Sequence, residues 1–313
     1  MPRTRQTAAF ALITVTALAL GACGSGDPAT SAAGAGSAEQ GKIPTTDVVS
    51  SVKKNEDAAK LLPAKVRTAG TLTIAAAAGS PPSGAAYLED GKTLAGVDVD
   101  FADAVAKALG LKPKREVAAF EAILPALGSG KYDLGTGNFG VTDERRKTID
   151  FVTYINDGQG FAVRDDSDLK KVTDLTQLCG LTVATGAGTT FEATLDDNDQ
   201  LCEDAGRKPY EVKTYADPSA VWISLQQGRS DIVMNTINGL RYGVAQLKGL
   251  RFLNEYKRLD VGFVFKKGTP LAPAFQAAVN GLKADGTYDR ILKKWGTTGS
   301  AIETSQISPP EIK

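Results

Sequence analysis

The chain has 313 residues, and its 36 basic and 36 acidic side chains give a formal net charge of zero. It contains no histidine, which excludes serine and cysteine hydrolase triads, zinc hydrolases and most imidazole-based acid–base schemes. Without a basic excess, and with aromatic residues that are few and scattered, the chain is not expected to bind nucleic acid.

The first predicted element is an export signal over residues 1–22. Its apolar run, residues 8–20, is shorter than the ~20 residues that span a bilayer, which favours a signal peptide over a transmembrane helix. The Leu-Gly-Ala-Cys motif that ends at Cys23 resembles a bacterial lipobox, which implies a lipidated Cys23 and an anchor on the extracytoplasmic face of the cell membrane. The alternative is an ordinary signal peptide that contains a cysteine.

Residues 23–69 are interpreted as the lipidated cysteine, a flexible tether and a short helix. Residues 24–41 are rich in Gly, Ser, Ala and Thr, a composition that cannot bury enough apolar surface to fold. Residues 48–67 are polar with a few apolar positions, which predicts the short helix. The compact part is expected between Gly70 and Gly296, which is long enough for two lobes.

Beyond Gly70, short apolar runs alternate with amphipathic segments, a pattern typical of an α/β protein. Strands are expected over residues 72–77, 132–139, 159–164, 181–184, 231–235 and 261–265. Helices are expected around Phe101, Val105 and Leu109, around residues 123–127 with Pro125 as an interruption, and over residues 189–195, 221–227, 271–283 and 288–295.

A charged turn, Thr142-Asp-Glu-Arg145, follows the predicted strand 132–139. Arg145 therefore sits just past the C-terminal end of a strand, where open α/β folds place their ligands. Its planar guanidinium suits a carboxylate held by two parallel hydrogen bonds. The alternative is a surface arginine within the charged run 143–147.

Cys179 and Cys202 remain once Cys23 is assigned to lipid. An even pair in an oxidising compartment predicts a disulfide between them, and such a link across about 23 residues is worth about 3 kcal/mol. Two buried free thiols are the alternative. A metal site is not expected, because the chain lacks histidine and the two cysteines lie far apart.

Several segments in order carry a family resemblance. They are GVDVDFADAVAKALG at 96–110, FEAILPAL at 120–127, SGKYD at 129–133, TDER at 142–145 and DGTYDRILKKWG at 285–296. Together they resemble family 3 of the bacterial extracellular solute-binding proteins, the polar amino-acid receptors of ABC importers. The resemblance implies a two-lobed, type II periplasmic-binding-protein-like α/β fold. Residues 70–158 and 262–313 would form a discontinuous lobe 1, residues 159–261 would form lobe 2, and the chain would cross twice at a hinge.

The same resemblance implies which residues hold the ligand. Arg145 matches the arginine that clamps the ligand's α-carboxylate, with Asn138 and Gly140 lining the pocket beside it. The family often has a hydroxyl residue where Gly140 stands, so one hydrogen bond to the carboxylate would be missing. Phe120 matches a position that packs on the ligand side chain; a core phenylalanine is the alternative.

In lobe 2, Thr189 and Thr190 match a Gly-Thr-Thr turn that opens a helix and contacts a polar ligand. Thr189 could instead be a simple N-cap. The second loop of interest follows the predicted strand 231–235, where Asn235 and Thr236 are expected at the ligand. The family usually has an aspartate at the position of Thr236, and that aspartate pairs with the ligand's α-ammonium.

A neutral Thr236 cannot compensate a buried ammonium, and an unpaired charge there would be costly. Either Asp157, Glu192 or Asp217 supplies the carboxylate, or the ligand lacks a free α-ammonium. We therefore expect a polar amino acid or a related small carboxylate as ligand.

The sequence thus predicts a monomeric, lipid-anchored solute-binding protein that is not an enzyme and needs no cofactor. Its partners would be an ABC permease and the ATPase of that importer. Two alternatives are an enzyme on the same scaffold that dehydrates a small carboxylate, and a solute sensor that signals through a partner.

Overall fold

The computed structural model describes residues 43–313. The predicted signal peptide, the lipidated Cys23 and the glycine-rich tether lie outside the described residues. Within 43–313, the helices fall short of the combination of length and apolar character that crossing a bilayer would require.

Ten strands are found in the described part of the chain. They are β1 (Thr71–Ala77), β2 (Ala86–Tyr87), β3 (Leu94–Ala95), β4 (Lys112–Ala118), β5 (Leu134–Gly140), β6 (Ile149–Arg164), β7 (Thr182–Gly186), β8 (Glu211–Tyr215), β9 (Ile232–Thr236) and β10 (Leu250–Lys266). Strands β2 and β3 form a small hairpin, and the others form one sheet in the order β4-β1-β5-β10-β6-β9-β7-β8.

The described residues also form α-helices, which connect these strands or precede and follow them. They are α1 (Glu56–Lys60), α2 (Ala64–Ala69), α3 (Val97–Ala108), α4 (Phe120–Gly128), α5 (Asp143–Arg146), α6 (Thr190–Asp196), α7 (Leu201–Asp204), α8 (Pro218–Gln226), α9 (Ile237–Gln246), α10 (Ala272–Ala284) and α11 (Thr287–Trp295), with short 3₁₀ turns at Leu175–Leu178 and Thr298–Ser300.

The sheet consists of two parallel sets joined by two long strands. β1 pairs in parallel with β4 and β5, and β7 pairs in parallel with β8 and β9. β6 and β10 run antiparallel to each other along almost their whole length. On its other side, β10 pairs antiparallel with β5, and β6 pairs antiparallel with β9. We call the half built on β1, β4 and β5 the first lobe, and the half built on β7, β8 and β9 the second lobe. The mixed α/β, two-lobed architecture expected from the sequence is confirmed.

The first lobe has an aromatic core around α3. Phe101, on the predicted apolar face of this helix, is fully buried, and its ring centroid lies 5.2 Å from those of both Tyr154 and Tyr288. Tyr154 in turn packs 4.6 Å from Phe263. Since Tyr154 is on β6 and Phe263 on β10, this cluster fixes α3 and α11 against the two long strands.

The second lobe has a smaller core and a covalent link. Phe161, Val183 and Met234 are fully buried between its helices and the sheet. The structure joins Cys179 and Cys202 by a disulfide with a Cα–Cα distance of 5.6 Å, which ties the 3₁₀ turn before β7 to α7.

Several elements differ from the sequence-based expectation. The extended stretches expected at 159–164 and 261–265 are parts of strands of 16 and 17 residues. The single short helix expected within 48–67 is two helices, because Pro63 cannot continue α1 and precedes the first residue of α2. Edge strands β4 and β8 and helix α9 were not predicted.

Candidate ligand-binding cleft

A cavity of about 400 Å³ lies between the two lobes. Its walls come from the carboxyl ends of β1, β5, β7, β8 and β9 and from the segments that follow them. Parallel strands of both lobes therefore point their carboxyl ends at one space, which is where open α/β sheets hold ligands.

Arg145 is the cation of the cavity wall. Thr142 caps the short helix α5, with its hydroxyl accepting a hydrogen bond from the Arg145 backbone N–H at 3.1 Å. The guanidinium donates to the carbonyl oxygens of Gly140 at 3.2 Å and of Gly188 at 3.1 Å. Burial lowers the pKa of Arg145 to about 10, so the side chain remains cationic at neutral pH. Its charge is thus held by neutral carbonyls and can pair with an anion.

Two stacked rings lie against the same guanidinium. Phe120 and Phe139 stack with centroids 4.3 Å apart, and the Arg145 guanidinium carbon lies 5.7 Å and 5.8 Å from their centroids. Phe120 lines the cavity, whereas Phe139 is fully buried behind it. These rings restrict the guanidinium by cation–π contact and give the ligand an apolar surface beside the charge.

Gly140 is placed differently from the expectation, because it lies outside the cavity wall. Its carbonyl supports Arg145, and a Cβ at this position would lie 3.1 Å from a methyl group of Leu259. The contact of Gly140 with the cavity wall is thus the hydrogen bond that its carbonyl accepts from Arg145.

Asn138 lines the cavity and separates it from a buried carboxylate. It has a left-handed backbone conformation, φ 58°, and its amide donates to the hydroxyl of Ser83 at 3.2 Å and to Asp157 at 3.1 Å. Asp157 is fully buried and also accepts the backbone N–H of Asn238 at 3.1 Å. Burial raises the pKa of Asp157 to about 6, against the opposing effect of these hydrogen bonds.

A second buried carboxylate, Asp98 on α3, supports the first-lobe side of the cleft. It accepts hydrogen bonds from the Tyr154 hydroxyl at 2.5 Å and from the backbone N–H of Gly84 at 2.9 Å. Gly84 belongs to the cavity wall, so Asp98 fixes that wall from behind. Burial also raises the pKa of Asp98 to about 6, partly offset by its hydrogen bonds.

Thr189 and Thr190 both line the cavity from the second lobe. The Thr189 hydroxyl donates to the carbonyl of Gly186 at 2.7 Å and accepts the backbone N–H of Glu192 at 3.3 Å, so it caps α6. The N-cap interpretation of Thr189 therefore describes its local role, while its position also brings it to the cavity.

Asn235 and Thr236 line the cavity at the end of β9. The Thr236 hydroxyl caps α9 by accepting the backbone N–H of Gly239 at 3.0 Å, and the Asn235 side-chain oxygen accepts the backbone N–H of Thr236 at 2.7 Å. Both side chains keep polar atoms for a ligand, since a hydroxyl retains its proton and an amide retains its NH₂ group.

The three carboxylates considered as partners for a ligand ammonium are engaged elsewhere. Asp157 is buried behind Asn138, Glu192 accepts the backbone N–H of Gly188 at 2.6 Å, and Asp217 caps α8 by accepting the backbone N–H of Ser219 at 2.8 Å. Among residues 43–313, the cavity wall includes no aspartate or glutamate.

The sequence analysis missed much of the second-lobe wall. One face of α9 lines the cavity along the helix, through Gly239, Tyr242, Gly243, Gln246 and, just beyond the end, Leu247. The neighbouring helix α8 supplies Pro218, Ser219, Val221, Trp222, Ile223 and Gln226. The α9 positions recur every three or four residues, which could have indicated this face, but two glycines weaken the helical pattern of α9.

Comparison with known proteins identifies the family. A family model described as "Bacterial extracellular solute-binding proteins, family 3" matches residues 72–298. The chain is similar to the arginine-binding protein ArgT of Corynebacterium glutamicum, at 27% identity over 79% of this chain and 81% of the relative. It is 30% identical to the L-cystine-binding protein TcyJ of Escherichia coli, over 74% of this chain and 84% of that relative.

A solved structure of an ancestral arginine-binding protein bound to arginine has a TM-score of 0.65 to this chain. The two are 32% identical, and the match covers 72% of this chain and 98% of that one. Together with the family-model match, this confirms the resemblance found in the sequence: the chain belongs to family 3 of the bacterial extracellular solute-binding proteins, the amino-acid-binding proteins of ABC transporters.

Proposed function

We propose that this protein is the lipid-anchored receptor of an ABC importer, which captures a polar amino acid or a related small carboxylate between two closing lobes. The observation that carries the proposal is the Arg145 guanidinium. It lies in the wall of an interlobe cavity and is held by two backbone carbonyls rather than by an acidic side chain. A guanidinium in that state favours a carboxylate as its bidentate partner.

Capture would involve the two long strands. β6 and β10 are the strands of the sheet that belong to both lobes, so bending at their middle would open and close the cleft. The closed, loaded form would then dock on the permease, and Cys23 would hold the receptor at the extracytoplasmic face of the membrane. Hinge closure around a ligand is a common movement of such two-lobed receptors.

Binding is favoured over catalysis by two observations. The relatives described above are named as binding proteins. Two carboxyl groups bonded to residues of the cleft wall, Asp98 and Asp157, are both buried behind that wall and engaged in hydrogen bonds, a position unsuited to protonating a bound substrate.

The proposal is tested by a thermal-shift and calorimetric screen of the full-length protein against the amino acids and their deaminated counterparts. At a hundredfold excess over its dissociation constant, a true ligand adds about 2.7 kcal/mol to the free energy of unfolding. Arg145→Ala should abolish this stabilisation and leave the unfolding of the empty protein nearly unchanged.

Lys147→Ala is the matched control. Lys147 lies beside the same short helix, and its side chain is paired with Glu144 at the surface, so its removal should leave ligand binding intact. Normal binding by the Arg145→Ala protein would refute the assigned role of Arg145. A screen in which no carboxylate binds would refute the proposed function.

A further inference from the structure

The charge balance of the cavity wall is one-sided. Arg145 contributes a positive charge, and the other polar side chains that line the cavity from the described residues are uncharged. Asp157 and Asp98 behind the wall, and Glu192 and Asp217 beside it, are already bonded to Asn138, to Tyr154 and to backbone N–H groups. A ligand that presents one carboxylate is therefore neutralised here, whereas an ammonium beside that carboxylate would meet only neutral acceptors.

The cost of such a mismatch is large. A charged ammonium that leaves water without a charged partner loses much of its hydration energy, and a hydroxyl such as that of Thr236 can return only part of it. The Thr236 oxygen, moreover, already accepts the N–H of Gly239. Discrimination against an ammonium thus follows from the position of Thr236 at the N-terminus of α9.

The cavity also extends well beyond Thr236. The face of α9 that lines it runs from Gly239 to Gln246, and the helix has 10 residues, or ~15 Å at 1.5 Å per residue. Two aromatic side chains lie along this face: Trp222 from α8 contacts α9 at Gly243, and Tyr242 is on α9 itself. The space beyond the carboxylate clamp is therefore shaped for an elongated, largely apolar body.

We propose that this cavity selects elongated carboxylates that have no ammonium beside the carboxylate. The inference rests on the proposed function, because it specifies the ligand of the same receptor. Arg145 holds the carboxylate, and the cavity-lining residues of α8 and α9 contact the rest of the ligand.

The test is calorimetric titration of the full-length protein with matched pairs, each an L-amino acid and the acid that lacks only its amino group. L-tyrosine with 3-(4-hydroxyphenyl)propanoate, and L-phenylalanine with 3-phenylpropanoate, are the central pairs. We expect the deaminated member to bind at least about tenfold more tightly, the factor that corresponds to one lost charge-assisted interaction. Tighter binding of the amino acids, or no binding in any pair, would overturn this inference and leave the receptor function standing. Only the failure of every carboxylate in the screen described above would overturn the receptor function itself.

Thr236→Asp provides the reciprocal experiment. Aspartate caps a helix at least as well as threonine, so α9 should keep its N-terminus while the cavity gains a carboxylate. We expect the preference within each pair to shift toward the amino acid by about tenfold or more. Thr236→Ser, which caps α9 without adding a charge, is the control and should keep the wild-type preference. An unchanged preference in a folded Thr236→Asp protein would refute the role of this position.

Discussion

At the scale of single residues, the two buried carboxylates behind the cleft give stability a dependence on pH. Burial raises the folded-state pKa of Asp98 from 3.8 to about 6. Between these values the folded protein binds the proton more tightly than the unfolded chain does, so the free energy of unfolding falls as the pH rises from about 4 to about 6. Above about pH 6, Asp98 is ionised in both the folded and the unfolded protein, so it causes no further change in the free energy of unfolding.

Replacing Asp98 by Asn should remove its part of this dependence. The amide oxygen can accept the Gly84 N–H, and the NH₂ group can donate to the Tyr154 hydroxyl, so the cleft wall is kept. Relative to the wild type, Asp98→Asn should become more stable as the pH rises from 4 to 6, by up to about 3 kcal/mol, with no further change above pH 7. Urea unfolding at several pH values measures this difference, and parallel stability curves for the two proteins would contradict it.

The sequence indicated Arg145 but not the residues that support it, for a physical reason. A charged turn directly after a strand restricts where a guanidinium can lie, and the resemblance to the family motif singled out Arg145 among the charged residues of that turn. Asp98, in contrast, looks like any acidic residue near the start of an amphipathic helix. Its burial depends on Tyr154, which is 56 residues away in sequence, and such long-range contacts leave no local pattern.

At the scale of elements, helices α8 and α9 contact each other where the Trp222 ring packs against Gly243, which has no side chain. A Cβ at Gly243 would lie 2.3 Å from the Trp222 ring, so the ring packs directly on the α9 backbone. Helical glycine normally costs about 1 kcal/mol relative to alanine. In α9 the packing of Trp222 on Gly243 offsets this cost of a helical glycine, and both residues line the cavity.

Gly243→Ala should therefore destabilise the protein, although alanine is the better helix former. Displacing the indole into the cavity should cost about 1–3 kcal/mol, as overpacking does in other cores, and should shift the tryptophan fluorescence. Gly128→Ala at the end of α4 is the control: its Cβ would have no atom within 4 Å, and a gain of up to about 1 kcal/mol is expected. Equal effects of the two substitutions in denaturant titrations would show that the Trp222 contact does not matter.

Sequence periodicity predicted the central strands of the two lobes but not their edge strands. β1, β5, β7 and β9 were expected within two residues of their bounds, because their apolar runs are flanked by turn residues. β4 and β8 were missed because both are edge strands with charged or polar residues, such as Lys112–Arg115 and Glu211. The extension of β6 and β10 through both lobes depends on their pairing, which no single segment reveals.

At the scale of the whole molecule, contacts across the cleft describe a closed arrangement. The Arg145 guanidinium in the first lobe donates to Gly188 in the second. Gly188 has a φ of +71°, and a Cβ on it would lie 2.8 Å from the Cβ of Glu121 on α4. The two lobes therefore meet at a position where only a glycine allows full approach, and this position lies outside the cavity wall.

Gly188→Ala should act as a wedge that favours the open protein. If binding requires the closed form, the apparent dissociation constant rises as the closed fraction falls, by at most about tenfold when closure becomes about 1.4 kcal/mol less favourable. Small-angle scattering should show a larger radius of gyration for the empty variant.

Gly180→Ala separates this effect from backbone strain, because Gly180 also has a positive φ, +83°, but a Cβ there would have no atom within 4 Å. Both alanines should lower stability by about 1–2 kcal/mol through the left-handed conformation, and only Gly188→Ala should weaken the ligand affinity. If the two variants bound the ligand equally well and scattered alike, closure would not pass through this contact.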